Sequence, residues 1–256
     1  MTTTPLAGRT ALVTGSGNGL GRAMTQALVD EGVRVVLVGR TKTTLEETAE
    51  LVGGDTRVAA CDVSDADQVN ALATELDGEE VSILVNNAGI GGPVKALVHV
   101  STEEWDEVQS ANVRSVFLMC RAFLPRMVAA GRGDVVNLAS VSGKRPLVRR
   151  TPYTASKLAI IGLTRTLAYE VGPAGVSVNT LSPGPVRGPR MARNFRLEAQ
   201  ASGSTVAEAE RAFVSRAALE RLVEEDEVGA ALVAMLRIPG LCGADIDLSA
   251  GMVAPA

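Results

Sequence analysis

The sequence predicts an α/β fold of the Rossmann type: one doubly wound parallel sheet of seven strands, with helices on both faces. Three observations carry this. Short apolar runs alternate with helix-length amphipathic stretches along almost the whole chain, the pattern of a parallel sheet joined by crossover helices. The first apolar run feeds directly into a glycine-rich turn and then a helix. Aromatic residues make up 3% of the 256 residues while the apolar set reaches 46%, which suits an aliphatic sheet covered on both sides.

The expected strands are Thr10–Thr14, 33–38, Thr56–Ala60, Val81–Asn86, 134–139, 176–181 and Asp245–Leu248. Each is short, rich in Val, Leu or Ile, and bounded by Gly, Asp, Asn or Ser. Between them, apolar residues recur at helical spacing, as at Ala23, Ala27 and Leu28. Asp65 and the Ser101–Glu103 step are helix-start signals. A long helix is expected over 153–171. No linker rich in Pro, Ser or Gly interrupts the alternation, so 1–256 is read as a single domain. The segment 184–222 is rich in Arg, Ala and Glu and carries no strand pattern. It reads as a helical insertion covering a site at the C-terminal edge of the sheet.

Composition narrows the function. Charged residues are 21% of the chain and the net charge is −4. Global disorder is excluded, and a nucleic-acid partner, which calls for a basic excess, is not expected. The three cysteines, at 61, 120 and 242, form no CxxC pair, and there is one histidine. Neither a disulfide framework nor a metal knuckle is indicated, no metal is expected, and a His-based zinc site or a Ser-His-Asp triad has little to draw on. No stretch of 18 apolar residues occurs, and the first residues carry no basic and apolar leader pattern. The expectation is a cytoplasmic protein without a membrane partner.

The turn after the first strand reads TGSGNGLG, from Thr14 to Gly21. A GxGxxG spacing would need glycine at Leu20 or Met24, whereas GxxxGxG fits through Gly15, Gly19 and Gly21. Glycines let the backbone turn tightly and approach a pyrophosphate, and the following helix N-terminus offers N–H groups and positive dipole. Gly17, Asn18 and Leu20 complete this candidate phosphate-binding turn. An acidic residue at the end of the second strand would bond the adenosine ribose of NAD; Gly39, Arg40 and Thr41 stand there instead. An arginine there can pair with a 2′-phosphate, which favours NADP, with NAD as the alternative.

Tyr153 and Lys157 lie one helical turn apart, so their side chains share a face. An ammonium beside a phenol favours the phenolate and makes the pair a proton donor and acceptor. Ser140 closes the fifth strand, where active-site groups of such sheets gather. Asn86-Asn87-Ala88-Gly89 ends the fourth strand, and Asn112 lies mid-helix, where asparagine is a mild cost.

Taken together, TGSGNGLG, Asp62-Val63, NNAG, Asn112, Ser140, YTASK and Pro183-Gly184 resemble the short-chain dehydrogenase/reductase family, in the family's order and densely from Thr10 to about Gly184. The resemblance implies a nicotinamide-dependent oxidoreductase acting on a small secondary alcohol or ketone. It makes Tyr153 the general acid/base, and Lys157 the binder of the nicotinamide ribose. Ser140 would orient the substrate oxygen, and Asn112 would hold a relay water. It puts Asp62 and Val63 at adenine, Asn87, Ala88 and Gly89 along the ribose, and Val186 after Pro183-Gly184 at the nicotinamide amide. A homotetramer built on the helices around Asn112 and 153–171 is implied too. Two positions depart from the family: Gly188 stands where a Thr often grips the cofactor, and Ser249-Ala250-Gly251 replaces Asp-Gly-Gly.

Two alternatives stay open: a 3-oxoacyl thioester reductase of the same family, and a non-catalytic nucleotide-binding relative. His99 and Trp105 are read as surface and packing residues, and Cys61 as a small buried apolar one. Arg187, Arg190, Arg193 and Arg196 recur every third residue, and Arg150 precedes Tyr153 by three. Arg150, Arg187 and Arg190 are therefore candidate ligands for an anionic substrate group.

Overall fold

The computed structural model describes residues 4–252, apart from the side chains of Arg190 and Ala201. Seven strands are β1 (Thr10–Thr14), β2 (Arg34–Gly39), β3 (Thr56–Ala60), β4 (Val81–Asn86), β5 (Gly133–Leu138), β6 (Val176–Pro183) and β7 (Asp245–Leu248). They form one parallel sheet in the order β3-β2-β1-β4-β5-β6-β7. The expected Rossmann architecture is present. Four strands have the expected bounds, and β2 and β5 are each displaced by one residue. β6 runs two residues further than its apolar run, because β7 pairs with it as far as Pro183 opposite Leu248.

From β1 the chain winds outward to β3, then returns to place β4 on the other side of β1. This reversal opens a crevice beyond the carboxyl ends of β1 and β4, where ligands of such sheets bind. Side chains of α1 (Gly19–Asp30), α2 (Lys42–Val52) and α9 (Glu225–Leu236) fill one core, with Met24, Leu28, Leu45, Val228 and Leu232 all buried. The opposite core is filled by α3 (Ala66–Glu75), α5 (Ser115–Ala130) and α6 (Thr151–Val171), through Leu72, Phe123 and Ile160.

Local sequence explains the helix starts. Asp65 accepts the N–H groups of Asp67 and Gln68 and so caps α3. Ser101 and Glu104 form a reciprocal capping box at α4 (Thr102–Gln109). Between α4 and α5 the helix widens into a π-turn over Ser110–Arg114.

The insertion is two helices, α7 (Pro189–Ser202) and α8 (Val206–Val214), broken at Gly203 with φ +69° and restarted by a Thr205–Glu208 capping box. Met191, Phe195 and Leu222 make a small core there, with Phe213 edge-on to Phe195 at 5.5 Å. A single parallel bridge, Val186 to Val223, joins its two ends. Among the described residues no helix is long and apolar enough to cross a membrane. Nor do the described residues include a group of three or more His, Cys, Asp or Glu side chains placed to hold a metal ion.

Candidate active site

β1 ends on Thr14, whose buried hydroxyl accepts the N–H groups of Asn87 (2.9 Å) and Ala88 (3.0 Å). Asn87 Nδ2 donates back to the Thr14 carbonyl at 2.9 Å. The glycine turn and the NNAG segment are thus bolted side by side across the crevice. Glycine is required here by contact as well as by dihedral. Gly15 has φ +68°, and a Cβ on Gly21 would lie 2.1 Å from the Gly15 carbonyl oxygen. A Cβ on Gly17 would lie 2.5 Å from Thr44 Oγ1. The first turn of α1 holds no acidic residue, and Asn18 makes no side-chain cap. Arg22 Nη2, donating to the Gly17 carbonyl at 2.9 Å, adds a cation beside the turn. Leu20 is half-buried behind it. A tight glycine turn, uncapped helical N–H groups and a nearby cation fit the pyrophosphate of a dinucleotide.

Beyond β2, Arg40 is exposed and makes no ion pair among the described residues, and Thr41 is the exposed residue preceding α2. A side chain on Gly39 would press on Leu45 Cδ2 at 3.3 Å, so this glycine serves the packing of α2. Asp62 Oδ1 accepts the N–H (3.0 Å) and the hydroxyl (2.6 Å) of Ser64, which fixes the turn after β3, and Val63 is buried there. Burial, with Asp62 and Asp65 adding to it, pushes the Cys61 thiol up to about 11 and leaves it unreactive.

The proton-transfer candidates meet at the end of β5. Lys157 is buried and its Nζ donates to the Leu138 carbonyl at 2.8 Å, two residues before Ser140. The same Nζ lies 5.8 Å from the Tyr153 ring centroid. Ser140 is buried; its Oγ accepts the Ser142 N–H (3.1 Å) and donates to the Pro183 carbonyl over a long 3.4 Å. Gly143 lets this turn lie on α6, since a Cβ there would sit 2.9 Å from the Lys157 carbonyl carbon.

Asn112 stands in the π-turn and is buried. Its Oδ1 accepts the Ile90 N–H (2.7 Å), and its Nδ2 donates to the Ile90 carbonyl (3.0 Å) and to Ser156 Oγ (2.9 Å). Ser156 in turn donates to the Tyr153 carbonyl at 2.7 Å. One asparagine therefore ties the loop after NNAG to the start of α6. π-turns of this kind recur at functional sites. Gly89 is exposed beside it, and a Cβ there would sit 2.8 Å from Asn112 Oδ1. Thr14, Gly143 and Ser156 were not singled out in the sequence; only the place of Ser156 between Tyr153 and Lys157 could have signalled it.

The β6 end supplies Pro183 and Gly184, where a Cβ on Gly184 would strike Ser249 at 2.8 Å. Val186 is held by the bridge to Val223. Gly188 has Glu225 Oε1 3.2 Å from its Cβ position, and the same oxygen is 3.7 Å from that of Gly19. A carboxylate thus stands between the insertion and the glycine turn. Of the arginines, Arg150 donates to the Gly92 carbonyl (3.2 Å) and lies 5.8 Å from the Tyr153 ring centroid, at the site. Arg187 is engaged elsewhere, by Glu224 (2.9 Å) and Glu210 (2.8 Å). Arg190 is the second residue of α7, and its side chain lies outside the described residues. His99 is exposed and Trp105 half-buried.

A tight glycine turn on one side of the crevice, with a Tyr–Lys pair and a serine at the end of β5, makes a Rossmann-type scaffold with proton-transfer groups at its lip. Residues 9–200 match the family model for short chain dehydrogenase. D-threitol dehydrogenase of Mycolicibacterium smegmatis is 39% identical over 183 residues, 70% of this chain and 70% of that protein. The 3-oxoacyl-[acyl-carrier-protein] reductase of Vibrio harveyi is 33% identical over 181 residues, 70% of this chain and 74% of that one. L-sorbose reductase of Gluconobacter frateurii, solved with NADPH and L-sorbose, superimposes with a TM-score of 0.91 at 25% identity, covering 99% of this chain and 100% of that one. The chain belongs to the short-chain dehydrogenase/reductase family of NAD(P)-binding oxidoreductases.

Proposed function

We propose that the protein interconverts a small secondary alcohol and a ketone, using NADP(H). The observation that carries this reading is the meeting of Tyr153, Lys157, Ser140 and the Asn112–Ser156 brace around the end of β5. A bound dinucleotide supplies the carbon that exchanges hydride with substrate. Tyr153 Oη gives a proton to the carbonyl oxygen in reduction and takes it from the alcohol in oxidation. Lys157, anchored on the Leu138 carbonyl, keeps a positive charge beside that proton path and binds the ribose. Ser140 exchanges its long bond to Pro183 for one to the substrate oxygen.

Gly15, Gly17, Asn18, Gly19, Leu20 and Gly21 hold the pyrophosphate. Asp62 and Val63 flank adenine; Asn87, Ala88 and Gly89 line the ribose; Pro183, Gly184 and Val186 face the nicotinamide. Arg40, exposed beside Thr41 and without an ion pair among the described residues, supports preference for NADP. Exposed Phe117 on α5, with Leu158 and Tyr169 on α6, supports a homotetramer. The likeness to a 3-oxoacyl reductase keeps thioesters in the substrate screen.

The test is Tyr153→Phe, which keeps the ring and removes the exchanging oxygen. Turnover should fall by about 10²–10⁴ with dinucleotide affinity retained. A variant keeping more than roughly half of wild-type turnover would sink the assignment, since loss of a general acid/base cannot leave that much.

A further inference from the structure

The loop after Ser140 carries a cation, Arg145, that no carboxylate among the described residues answers. Arg145 stands five residues beyond Ser140, its N–H donating to the Val141 carbonyl at 3.1 Å. The neighbouring Lys144 is engaged by Asp245 and Asp247 of β7. Arg145 itself is half-buried, and its Nε is buried without a hydrogen-bond partner. Arg9, Arg34, Arg57, Arg126 and Arg221, by contrast, each meet a carboxylate.

The charged group that acts on Arg145 is another arginine. Burial first, and then Arg216, push the Arg145 guanidinium below its ordinary value. Arg216 lies just past α8, where the insertion returns to the sheet. Its guanidinium is stacked 4.3 Å from the Phe213 ring centroid, and its Nε donates to the Phe213 carbonyl at 3.2 Å. That return segment is pinned to the turn after β7, through Leu219 N–H to the Ala250 carbonyl at 3.0 Å. The two cations thus come from the two segments that bound the C-terminal edge of the sheet near Ser140. Both keep their charge at neutral pH. A buried guanidinium N–H without a hydrogen-bond partner, and a second guanidinium on a segment held at the same end of β7, can both be answered by one ligand, an anion with several acceptor oxygens.

We propose that Arg145 and Arg216 form an anion subsite between the Ser140 loop and the insertion, taking a carboxylate, phosphate or sulfonate. The anion is either a tail of the substrate or a free ion, and the first source rests on the oxidoreductase reading above. The site differs from the one expected at Arg187, whose charge Glu210 and Glu224 already neutralise.

The experiment has two arms, run on wild type, Arg145→Gln and Arg216→Gln with NADP(H) at saturation. Arg216 is exposed, so its variant leaves the core intact and keeps the test standing should Arg145→Gln not fold. In the first arm, unfolding temperature is followed against inorganic phosphate, with chloride at matched ionic strength. Wild type should show a saturable rise, with affinity about tenfold weaker in either variant. In the second arm, kcat/KM is compared for a ketone carboxylate and its methyl ester. A wild-type preference of about tenfold for the carboxylate, falling towards parity in the variants, assigns the anion to the substrate. A phosphate effect lost in the variants without any such preference assigns it to a free ion. Equal phosphate curves in all three proteins, with equal ketone ratios, overturn the subsite. Inert ketones alone would count against the oxidoreductase reading, and the phosphate arm would still decide this one.

Discussion

Asn112→Ala removes three hydrogen bonds with a single truncation, and the structure allows its cost to be worked out. The lost bonds run to the Ile90 N–H, the Ile90 carbonyl and Ser156 Oγ, at 2.7, 3.0 and 2.9 Å. A net value of about 1 kcal/mol each suggests roughly 3 kcal/mol. Ile90 is only half-buried, so its freed backbone groups regain water and the cost settles at about 2–3 kcal/mol. In a chain of this size each kcal/mol moves the unfolding temperature by about 2–4 °C, so a fall of roughly 4–12 °C is expected. Turnover should fall as well, because Ser156 loses the donor that steadies the Tyr153 end of α6; a displacement of about 1 Å there costs on the order of a hundredfold. Thermal unfolding by circular dichroism and kcat on an accepted ketone provide the assays. A double-mutant cycle with Ser156→Ala isolates the shared bond, and its coupling should be about 1 kcal/mol. An Asn112→Ala protein melting within about 1 °C of wild type, with unchanged kcat, would refute the brace, because that shift corresponds to under half a kcal/mol.

Arg40→Ala should raise KM for NADP about tenfold and leave KM for NAD nearly unchanged, since it removes one charge-assisted contact to a phosphate; equal effects on both would show that Arg40 serves neither. Gly21→Ala puts a methyl 2.1 Å from the Gly15 carbonyl oxygen, so calorimetry should show dinucleotide binding lost while far-ultraviolet dichroism still reports a folded sheet; undiminished binding contradicts the turn geometry. Arg221 chelates Glu227 with two 2.6 Å bonds and, as the larger cause, holds its carboxyl down at about 2 against an ordinary 4.5. A depressed carboxylate stabilises the fold above its unfolded value and loses that contribution as pH falls towards 2, so the urea stability gap between wild type and Arg221→Ala should close below about pH 4.5; solvent screening of this exposed pair keeps the gap small. A gap constant from pH 7 to pH 3 would mean that the ion pair contributes nothing.

The parts of this site legible in sequence are those whose geometry is local. Tyr153 and Lys157 are set by one helical turn, and Gly15, Gly19 and Gly21 by a single strand-to-helix corner. The ends of β1, β3 and β4 are marked by abrupt changes from apolar to small or acidic residues. What escaped depends on pairings between distant segments. Thr14 acts on residues 73 and 74 positions away, and Asn112 on Ser156 across 44. Neither has a periodic signature. Gly39 stands in sequence beside the candidate phosphate ligand Arg40, but its missing side chain faces Leu45. Local pattern cannot tell which side of a strand end a glycine clears.

The arginines make the same point with charge. Arg187, Arg190, Arg193 and Arg196 recur every third residue, but Pro189 starts α7 after Arg187 and separates it from the rest. Arg187 then finds Glu210 on α8 and Glu224 just before α9, 23 and 37 residues away. Both partners are surface carboxylates of the kind abundant in any acidic chain, so sequence alone gives no reason to pair them with Arg187 rather than with Arg190. Arg145 has no periodic company in the sequence, but the fold leaves its Nε buried without a hydrogen-bond partner. Charge patterning along a chain counts ions; only the fold decides which of them are already neutralised, and a binding site for an anion is made of those that are not.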